Sequence, residues 1–300
     1  MNDRHITLLD GSIGQELVKR SGDRVTPLWS TTVMMEKPDL VNQVHGEYFS
    51  AGATVATTNT YPVLYDRLKR VGLENERFKL WNIAVNAALN ARNSNGFGLV
   101  AASIGPLIAS YRPDICPPAR EAAALYEEIT RELSKKVDLL LIETMSSIDQ
   151  GEGALIAAKR CGKPVWIAFS VNDFDGTKLR SGEEVSEIRK ILDQYEPDAV
   201  LINCSRPEAV SEALKSVSNF GIKFGAYANG FTKINSEFLK EAPTVDVLEQ
   251  RLDLSPNAYA KFVLDWVDLG ATIVGGCCEV GPDHIKEIAQ ALTKAGHQIA

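Results

Sequence analysis

The chain of 300 residues is predicted to fold as a (β/α)8 TIM barrel, because eight short apolar segments alternate with segments of helical periodicity. Most apolar segments are continuously hydrophobic, which is typical of parallel strands covered on both faces. No composition change marks a linker, so residues 1–300 are expected to form one barrel domain. An open doubly wound sheet is the alternative, although "DGSIGQEL" at 10–17 lacks the G-x-G-x-x-G turn that such sheets often carry.

The predicted strands determine where chemistry is expected. They cover residues 6–11, 53–60, 98–105, 137–144, 164–171, 198–204, 223–229 and 271–278. In a barrel the carboxyl ends of the parallel strands meet at one mouth, and active sites lie there. The residues that end these strands are therefore the candidates for a functional site.

The segments between the strands carry helix signals. Apolar residues spaced three or four apart predict buried helix stripes, such as Leu125, Ile129 and Leu133. Ser205 and Glu208 have the spacing of a capping box, which predicts that Ser205 caps a helix. The stretch 229–256 is longer than an ordinary loop, and this length suggests a lid or an interface.

Charge and apolar patterning exclude several classes of partner. The formal net charge is -7 and no Lys/Arg cluster reverses it, so nucleic acid and anionic membrane surfaces are not expected partners. No apolar segment approaches the ~20 residues of a membrane span. The opening "MNDRHITLLDG" lacks the apolar core of a secretory signal. Five cysteines without such a signal indicate a reducing compartment, and we expect a cytoplasmic protein.

Three of the five cysteines end predicted strands: Cys204 ends the sixth, and Cys277 and Cys278 end the eighth. Three thiolates can hold Zn²⁺ with a fourth position open, and soft sulfur ligands favour zinc. Gly275 and Gly276 are expected to let the backbone pass close to the metal. No histidine ends a strand, so an all-sulfur site is the simplest interpretation. A disulfide between the two adjacent cysteines is an alternative.

The other two cysteines are expected to have no chemical role. Cys161 shares a helical stripe with Ala154, Ala157 and Ala158, which predicts a core position. Cys116 lies in the loop "YRPDICPP" without a partner in sequence. A zinc ion with three thiolates is a poor Lewis acid for hydrolysis, but it keeps a fourth, substrate thiolate nucleophilic at neutral pH. The ligand set therefore favours thiol alkylation.

The segments "LLDGSIGQEL", "TTNTY", "IET", "INC" and "GGCC", in this order and at strand ends, resemble the zinc-dependent homocysteine S-methyltransferase family. The resemblance extends from Leu8 to about Leu292 and concerns the homocysteine-binding domain. It implies that Cys204, Cys277 and Cys278 bind Zn²⁺ and that the substrate is homocysteine. The product would be methionine.

The same resemblance implies a set of substrate-binding residues: Asp10, Gly11, Ser12, Trp29, Thr58, Asn59, Glu143 and Asn203. Backbone N–H groups from Asp10 to Ser12 would hold the substrate carboxylate at the start of a helix. Glu143 would accept the substrate ammonium. An indole face at Trp29 would stabilise a cationic methyl donor. The structural alternatives are a helix cap for Asp10 and a buried ion pair for Glu143.

The methyl donor is expected to be a small sulfonium compound, S-methylmethionine or S-adenosylmethionine, ahead of betaine, with methyl-folate last. Four thiolates around zinc favour an approaching cation, and a sulfonium leaves as a neutral thioether. Two donor-side loops depart from the family pattern, namely "YANGFT" at 227–232 and "IGPLIASYRPD" at 104–114. The alternatives are a homocysteine-binding component of a cobalamin- or betaine-dependent system, or a zinc- or thiol-binding module without catalysis. Oligomerisation is left open.

Overall fold

The computed structural model describes residues 5–22, 26, 28–239 and 247–300. Nine parallel strands form one sheet in the order β2-β3-β4-β5-β6-β7-β8-β1-β9. Their bounds are β1 (His5–Leu8), β2 (Val55–Thr57), β3 (Leu99–Ile104), β4 (Leu139–Met145), β5 (Val165–Phe169), β6 (Ala199–Asn203), β7 (Phe224–Tyr227), β8 (Ile273–Val274) and β9 (Gln298–Ile299).

The sheet closes on itself at β1. This strand pairs with β8 on one side, and on the other side Leu9 forms a parallel bridge with Val55. The amide of Asp10 donates to the Val55 carbonyl at 3.1 Å, and the amide of Thr54 donates to the Leu8 carbonyl at 2.7 Å. The barrel prediction is confirmed, and the open-sheet alternative is wrong. The short strand β9, which pairs with His5 and Ile6 of β1, was not predicted.

Helices follow the strands around the barrel. The described residues contain eleven: α1 (Ile13–Arg20), α2 (Ser30–Glu36), α3 (Pro38–Ala51), α4 (Tyr65–Lys69), α5 (Arg77–Asn95), α6 (Ala119–Ser134), α7 (Ile148–Ala158), α8 (Arg189–Tyr195), α9 (Pro207–Val217), α10 (Pro256–Asp268) and α11 (Pro282–Lys294). None of the helices in the described part of the chain is long and apolar enough to cross a membrane.

Two apolar layers hold the fold together. The larger one lies between the strands and the helices. The smaller one draws its buried members from the strands and their immediate ends, as expected for a packed barrel interior: Leu9, Val55, Ala101, Leu139, Leu141, Ala168, Ala199, Leu201, Tyr227 and Ile273. Because the interior is filled with side chains, a ligand site is expected at the mouth.

Two local predictions are wrong. Leu125 of α6 is exposed, and Tyr126 is buried in its place because its hydroxyl donates to the Gly105 carbonyl at 3.1 Å. Ser205 does not cap α9, whose N-cap is Arg206. The Ser205 hydroxyl instead accepts from the amide of Val171 at 2.9 Å. It therefore ties the ends of β5 and β6 together.

The long segment after β7 folds back on the barrel mouth. Phe231 forms an antiparallel bridge with Gln250, and the amide of Arg251 donates to the Gly230 carbonyl at 2.7 Å. Phe231, Phe238 and Leu248 are buried in a cluster that also contains Cys204 and Tyr111. Residues 240–246, within the predicted lid or interface, lie outside the described residues. The lid or interface role stays a prediction.

Candidate metal and substrate site

A cavity of about 400 Å³ opens at the carboxyl ends of the strands. Its lining includes ten of the eleven residues predicted for the site: Asp10, Gly11, Ser12, Trp29, Thr58, Asn59, Glu143, Cys204, Cys277 and Cys278. The eleventh, Asn203, does not line it. Selecting the residues at strand ends therefore brings together positions as much as 268 residues apart, since Asp10 and Cys278 both line the cavity.

The three strand-end cysteines form a cluster. The sulfur atoms of Cys204, Cys277 and Cys278 all lie within 4.8 Å of one another. Parallel pairing brings them together, because the amide of Cys204 donates to the Tyr227 carbonyl and the amide of Cys277 donates to the Ala228 carbonyl, at 3.2 and 2.9 Å. It is the one such group of potential metal ligands found among the described residues.

A disulfide joins Cys204 to Cys277, and Cys278 is a free thiol. The alternative of a disulfide between the two adjacent cysteines is therefore wrong. The disulfide joins the ends of β6 and β8, the two strands that flank β7, and the two Cα atoms lie 5.7 Å apart. Burial raises the pKa of the Cys278 thiol to about 12, and the nearby carboxylates of Glu279 and Glu143 add to this effect. A set of three thiolates would thus require both reduction and a bound cation.

Gly275 and Gly276 permit close backbone approach at the end of β8, and their role beside a metal stays a prediction. A Cβ at Gly275 would lie 2.5 Å from the Cβ of Leu9, and one at Gly276 would lie 2.0 Å from Cγ1 of Val280. Both contacts are shorter than carbon atoms tolerate. The glycines therefore let the end of β8 pack against β1 and against the turn that follows the cysteines.

The backbone at Cys204 is held in an unusual conformation. Its φ of 47° lies in the left-handed region, which is uncommon for a residue with a side chain. Its carbonyl accepts hydrogen bonds from Ser170 Oγ and Arg180 Nη2, each at 3.2 Å. Arg180 pairs with Asp173 at 2.9 Å, and Asp173 also accepts the amide of Ile234 at 2.8 Å. This buried network connects the cysteine to the segment after β7.

Glu143 is a buried carboxylate at the end of β4. Its two oxygens accept hydrogen bonds from Ser103 Oγ and, at 3.0 Å, from the hydroxyl of Tyr227. It forms no ion pair within the described part of the chain, so the structure does not support the ion-pair alternative. Burial raises its pKa despite these two donors. A cationic ligand group would therefore find an uncompensated acceptor here.

Asp10 is a second buried carboxylate in the same cavity. It accepts the amide of Thr57 at 2.7 Å and the Thr57 hydroxyl at 2.8 Å, and the buried ring of His45 lies 3.9 Å away. Burial raises the pKa of Asp10 well above its usual value and lowers that of His45 to about 4. His45 is therefore neutral at pH 7 and does not neutralise Asp10. The helix-cap alternative is wrong, since Ser12 is the N-cap of α1.

The backbone amides predicted to hold a carboxylate are mostly engaged. The amide of Asp10 donates to the Val55 carbonyl, and that of Ser12 donates to the Val280 carbonyl at 2.9 Å. Of these three N–H groups, only that of Gly11 has no hydrogen-bond partner in the described structure. Gly11 itself is packed tightly, because a Cβ there would lie 2.1 Å from the Val280 oxygen.

The remaining predicted residues divide between the cavity wall and the layer behind it. Thr58 bonds with Thr60 through the two hydroxyls at 2.7 Å, and Asn59 Oδ1 accepts the Ser30 hydroxyl at 2.9 Å. Asn203 is fully buried and does not line the cavity. Its side chain bonds to the amide and the hydroxyl of Thr144, at 3.1 and 3.0 Å. It therefore supports the left-handed backbone of Thr144, which does line the cavity.

Trp29 lines the cavity from the segment before α2. Its φ of 48° is in the left-handed region, and its ring covers Gly14, where a Cβ would lie 2.2 Å from a ring carbon. The indole nitrogen is buried without a hydrogen-bond partner among the described atoms. The ring is thus fixed against α1 and faces the cavity.

Several lining residues were missed. Ser103 and Tyr227, the donors to Glu143, lie near the ends of β3 and β7, so the strand-end rule could have selected them. Arg67 lies in α4 and Arg70 is the C-cap of that helix, so neither arginine ends a strand and neither was selected. Tyr111 lies in the loop 104–114, which the resemblance places on the donor side, but no sequence signal selected this residue.

Comparison with known proteins gives a consistent picture. Residues 7–292 match the family model for homocysteine S-methyltransferase. The chain is 27% identical to homocysteine S-methyltransferase YbgG of Bacillus subtilis, over 95% of this chain and 93% of that protein. The metallated form of the homocysteine methyltransferase MmuM from Escherichia coli superposes with a TM-score of 0.80 at 25% identity, covering 95% of this chain and 96% of that one. The oxidised form of the same enzyme superposes with a TM-score of 0.78 at 27% identity, covering 97% of this chain and 96% of that one.

Proposed function

Since the chain belongs to the homocysteine S-methyltransferase family, we propose that it is an enzyme that moves a methyl group from a small sulfonium donor to the sulfur of L-homocysteine. The product is methionine. The observation that carries this proposal is the cluster of three cysteine sulfurs within 4.8 Å, in the same cavity as two buried carboxylates. We further propose that residues 1–300 act as one barrel domain in the cytoplasm, where thiols stay reduced.

The three cysteine sulfurs are suitable ligands for zinc. Cys204, Cys277 and Cys278 would hold the ion, and an all-sulfur set disfavours magnesium and calcium. Zinc bound in this way keeps a substrate thiol deprotonated and nucleophilic at neutral pH. The related enzyme from E. coli has been crystallised in a metallated and in an oxidised form, and the cysteine cluster offers this chain the same two forms.

The amino-acid end of homocysteine would bind at the buried carboxylates. Glu143 is held by Ser103 and Tyr227 and has no cationic partner in the described structure, so it suits an ammonium group. The substrate carboxylate would accept the N–H of Gly11 at the start of α1, where a helix end favours negative charge. These contacts would orient the substrate sulfur toward the three cysteines.

The methyl transfer itself is a single displacement. The thiolate sulfur attacks the methyl carbon, a new S–C bond forms, and the donor's S–C bond breaks with its electron pair going to a neutral thioether. In their deprotonated forms, Asp10 and Glu143 would give the cavity a negative potential that favours a cationic donor. The face of Trp29 adds cation–π attraction of about 0.5–2 kcal/mol. The protein would mainly align two bound reactants.

A donor screen tests the proposal. Reduced, zinc-loaded protein is incubated with homocysteine and one of four donors: S-methylmethionine, S-adenosylmethionine, betaine or methyl-folate. We expect methionine from a sulfonium donor, dependent on homocysteine, and the same rate in Cys161→Ala, since Cys161 lies outside the cavity. Methionine from betaine or methyl-folate alone would overturn the sulfonium assignment. No methionine from any donor would favour a binding component or module without catalysis of its own.

A further inference from the structure

The cavity has acidic side chains at one end and basic side chains at the other. Asp10 and Glu143 are 1% and 9% exposed and lie at the closed end with the cysteines. Arg67 and Arg70 line the same cavity, and because Arg67 is half-buried and Arg70 is exposed, they lie at the open end. A ligand that fills the cavity would meet carboxylates at one end and guanidinium groups at the other.

The two arginines are held in place but not neutralised. Arg67 Nη2 donates to the Pro106 carbonyl, and Arg70 Nη2 donates to the Ile108 carbonyl, each at 2.9 Å. Neither forms an ion pair with any residue in the described ranges. Nε of Arg67 is buried without a hydrogen-bond partner there, and its guanidinium lies 5.2 Å from the ring centre of Tyr61. Both side chains therefore keep unused N–H groups and a full charge.

The support around these arginines is rigid. Asp66 Oδ2 accepts the amide of Ile108 at 2.6 Å, so α4 and the loop after β3 are connected by hydrogen bonds in both directions. A guanidinium presents paired N–H groups that match a carboxylate, and such charge-assisted pairs are stronger than neutral hydrogen bonds. Because each arginine is anchored through a neutral carbonyl, its guanidinium can still pair with a carboxylate of a ligand.

We propose that Arg67 and Arg70 bind a carboxylate on the methyl donor, so that the donor class is an onium carboxylate. Its methylated, positively charged centre then faces the buried carboxylates and the cysteines. This inference rests on the proposed methyl transfer and adds the group by which the donor is selected. The homocysteine carboxylate is not the group concerned, because Gly11 and Glu143, which would hold homocysteine, lie at the closed end.

The test compares two donors in matched variants. Arg67→Gln and Arg70→Gln keep a polar side chain with N–H donors but remove the charge. With S-methylmethionine, which carries a carboxylate, KM is expected to rise about tenfold or more in each variant. With trimethylsulfonium, which has none, KM should stay within about twofold, as should KM for homocysteine. Lys69→Gln is the control, since Lys69 is an exposed cation of α4 that does not line the cavity.

A merely structural role gives a different pattern. If the arginines only anchor the loop after β3, KM rises equally for both sulfonium donors, and the inference is overturned. An unchanged KM for S-methylmethionine overturns it as well. Calorimetric titration with S-methylmethionine and with its methyl ester needs no turnover, so it judges the inference even if methyl transfer fails. The inference is supported if wild type binds the ester more weakly than the free acid and if both Gln variants bind the free acid more weakly than wild type does. Equal affinities in these two comparisons contradict it.

Discussion

Replacing Glu143 by Gln should weaken homocysteine binding while making the substrate-free protein no less stable. Gln has nearly the same shape and still accepts one of the two hydroxyl donors, Ser103 or Tyr227. It loses the negative charge that would meet the substrate ammonium. Hydrogen bonds to charged groups contribute about 1.5–3 kcal/mol, so the dissociation constant should rise roughly 10- to 150-fold. At 9% exposure, solvent screens this charge little.

The effect on stability has the opposite sign. Burial raises the pKa of Glu143 above its unfolded value, so the folded protein favours the protonated form. The stability gained from that preference is present at low pH and is lost as pH rises through the raised pKa. Gln is neutral throughout and avoids this loss. The variant should therefore melt at the same or a higher temperature than wild type near neutral pH, without homocysteine.

Calorimetry with homocysteine and thermal melts of substrate-free protein measure the two effects. Wild-type affinity should also fall as pH drops through the raised pKa of Glu143, because the carboxylate becomes protonated, and this fall should be reduced in the variant. Glu152→Gln is a matched control, since Glu152 accepts a tyrosine hydroxyl from Tyr195 at 2.8 Å outside the cavity. Unaltered homocysteine affinity in Glu143→Gln, or a clearly lower melting temperature, would refute the ammonium role.

Three further sets of substitutions probe the site. Alanine at Cys204, Cys277 or Cys278 should lower zinc content measured by elemental analysis, whereas Cys116→Ala and Cys161→Ala should retain it; equal loss in all five would contradict the site. Arg180→Met should destabilise the fold by about 3–5 kcal/mol in denaturant unfolding, because it leaves Asp173 buried and unpaired. Adding Asp173→Asn should recover much of that stability but not the zinc affinity in chelator competition; full recovery of both would argue against a role in holding Cys204. Gly11→Ala should lower stability by about 1–3 kcal/mol, since its Cβ would lie 2.1 Å from the Val280 oxygen; an unchanged melting temperature would contradict this packing.

The barrel was predictable because its signals are local. Continuous apolar segments separated by helical periodicity predicted all eight barrel strands, and the strand-end rule then selected residues at the correct mouth. Strand β9 was missed because two residues carry no periodicity. Ser147 and Ser255 cap α7 and α10, whereas Ser205 bonds to a neighbouring strand end. Capping depends on the backbone conformation, which a spacing pattern alone does not determine.

Site residues were less predictable where their role depends on a neighbour. Asn203 ends a strand, yet its amide points to Thr144 because the left-handed turn there leaves an N–H to satisfy. Arg67 and Arg70 reach the cavity from α4, which has no pattern that separates a cavity-facing arginine from a solvated one. Such residues are found only when the strands and helices are seen together.

X-ray absorption at the zinc edge tests the thiol-based metal site most directly. Reduced protein loaded with zinc should contain about one ion per chain, with three sulfur neighbours at ~2.3 Å and one lighter ligand. Adding homocysteine should raise the sulfur count to four, because the substrate thiol joins Cys204, Cys277 and Cys278. A shell dominated by nitrogen or oxygen, a sulfur count that ignores homocysteine, or full zinc occupancy in a Cys277→Ala/Cys278→Ala variant would contradict the proposed site.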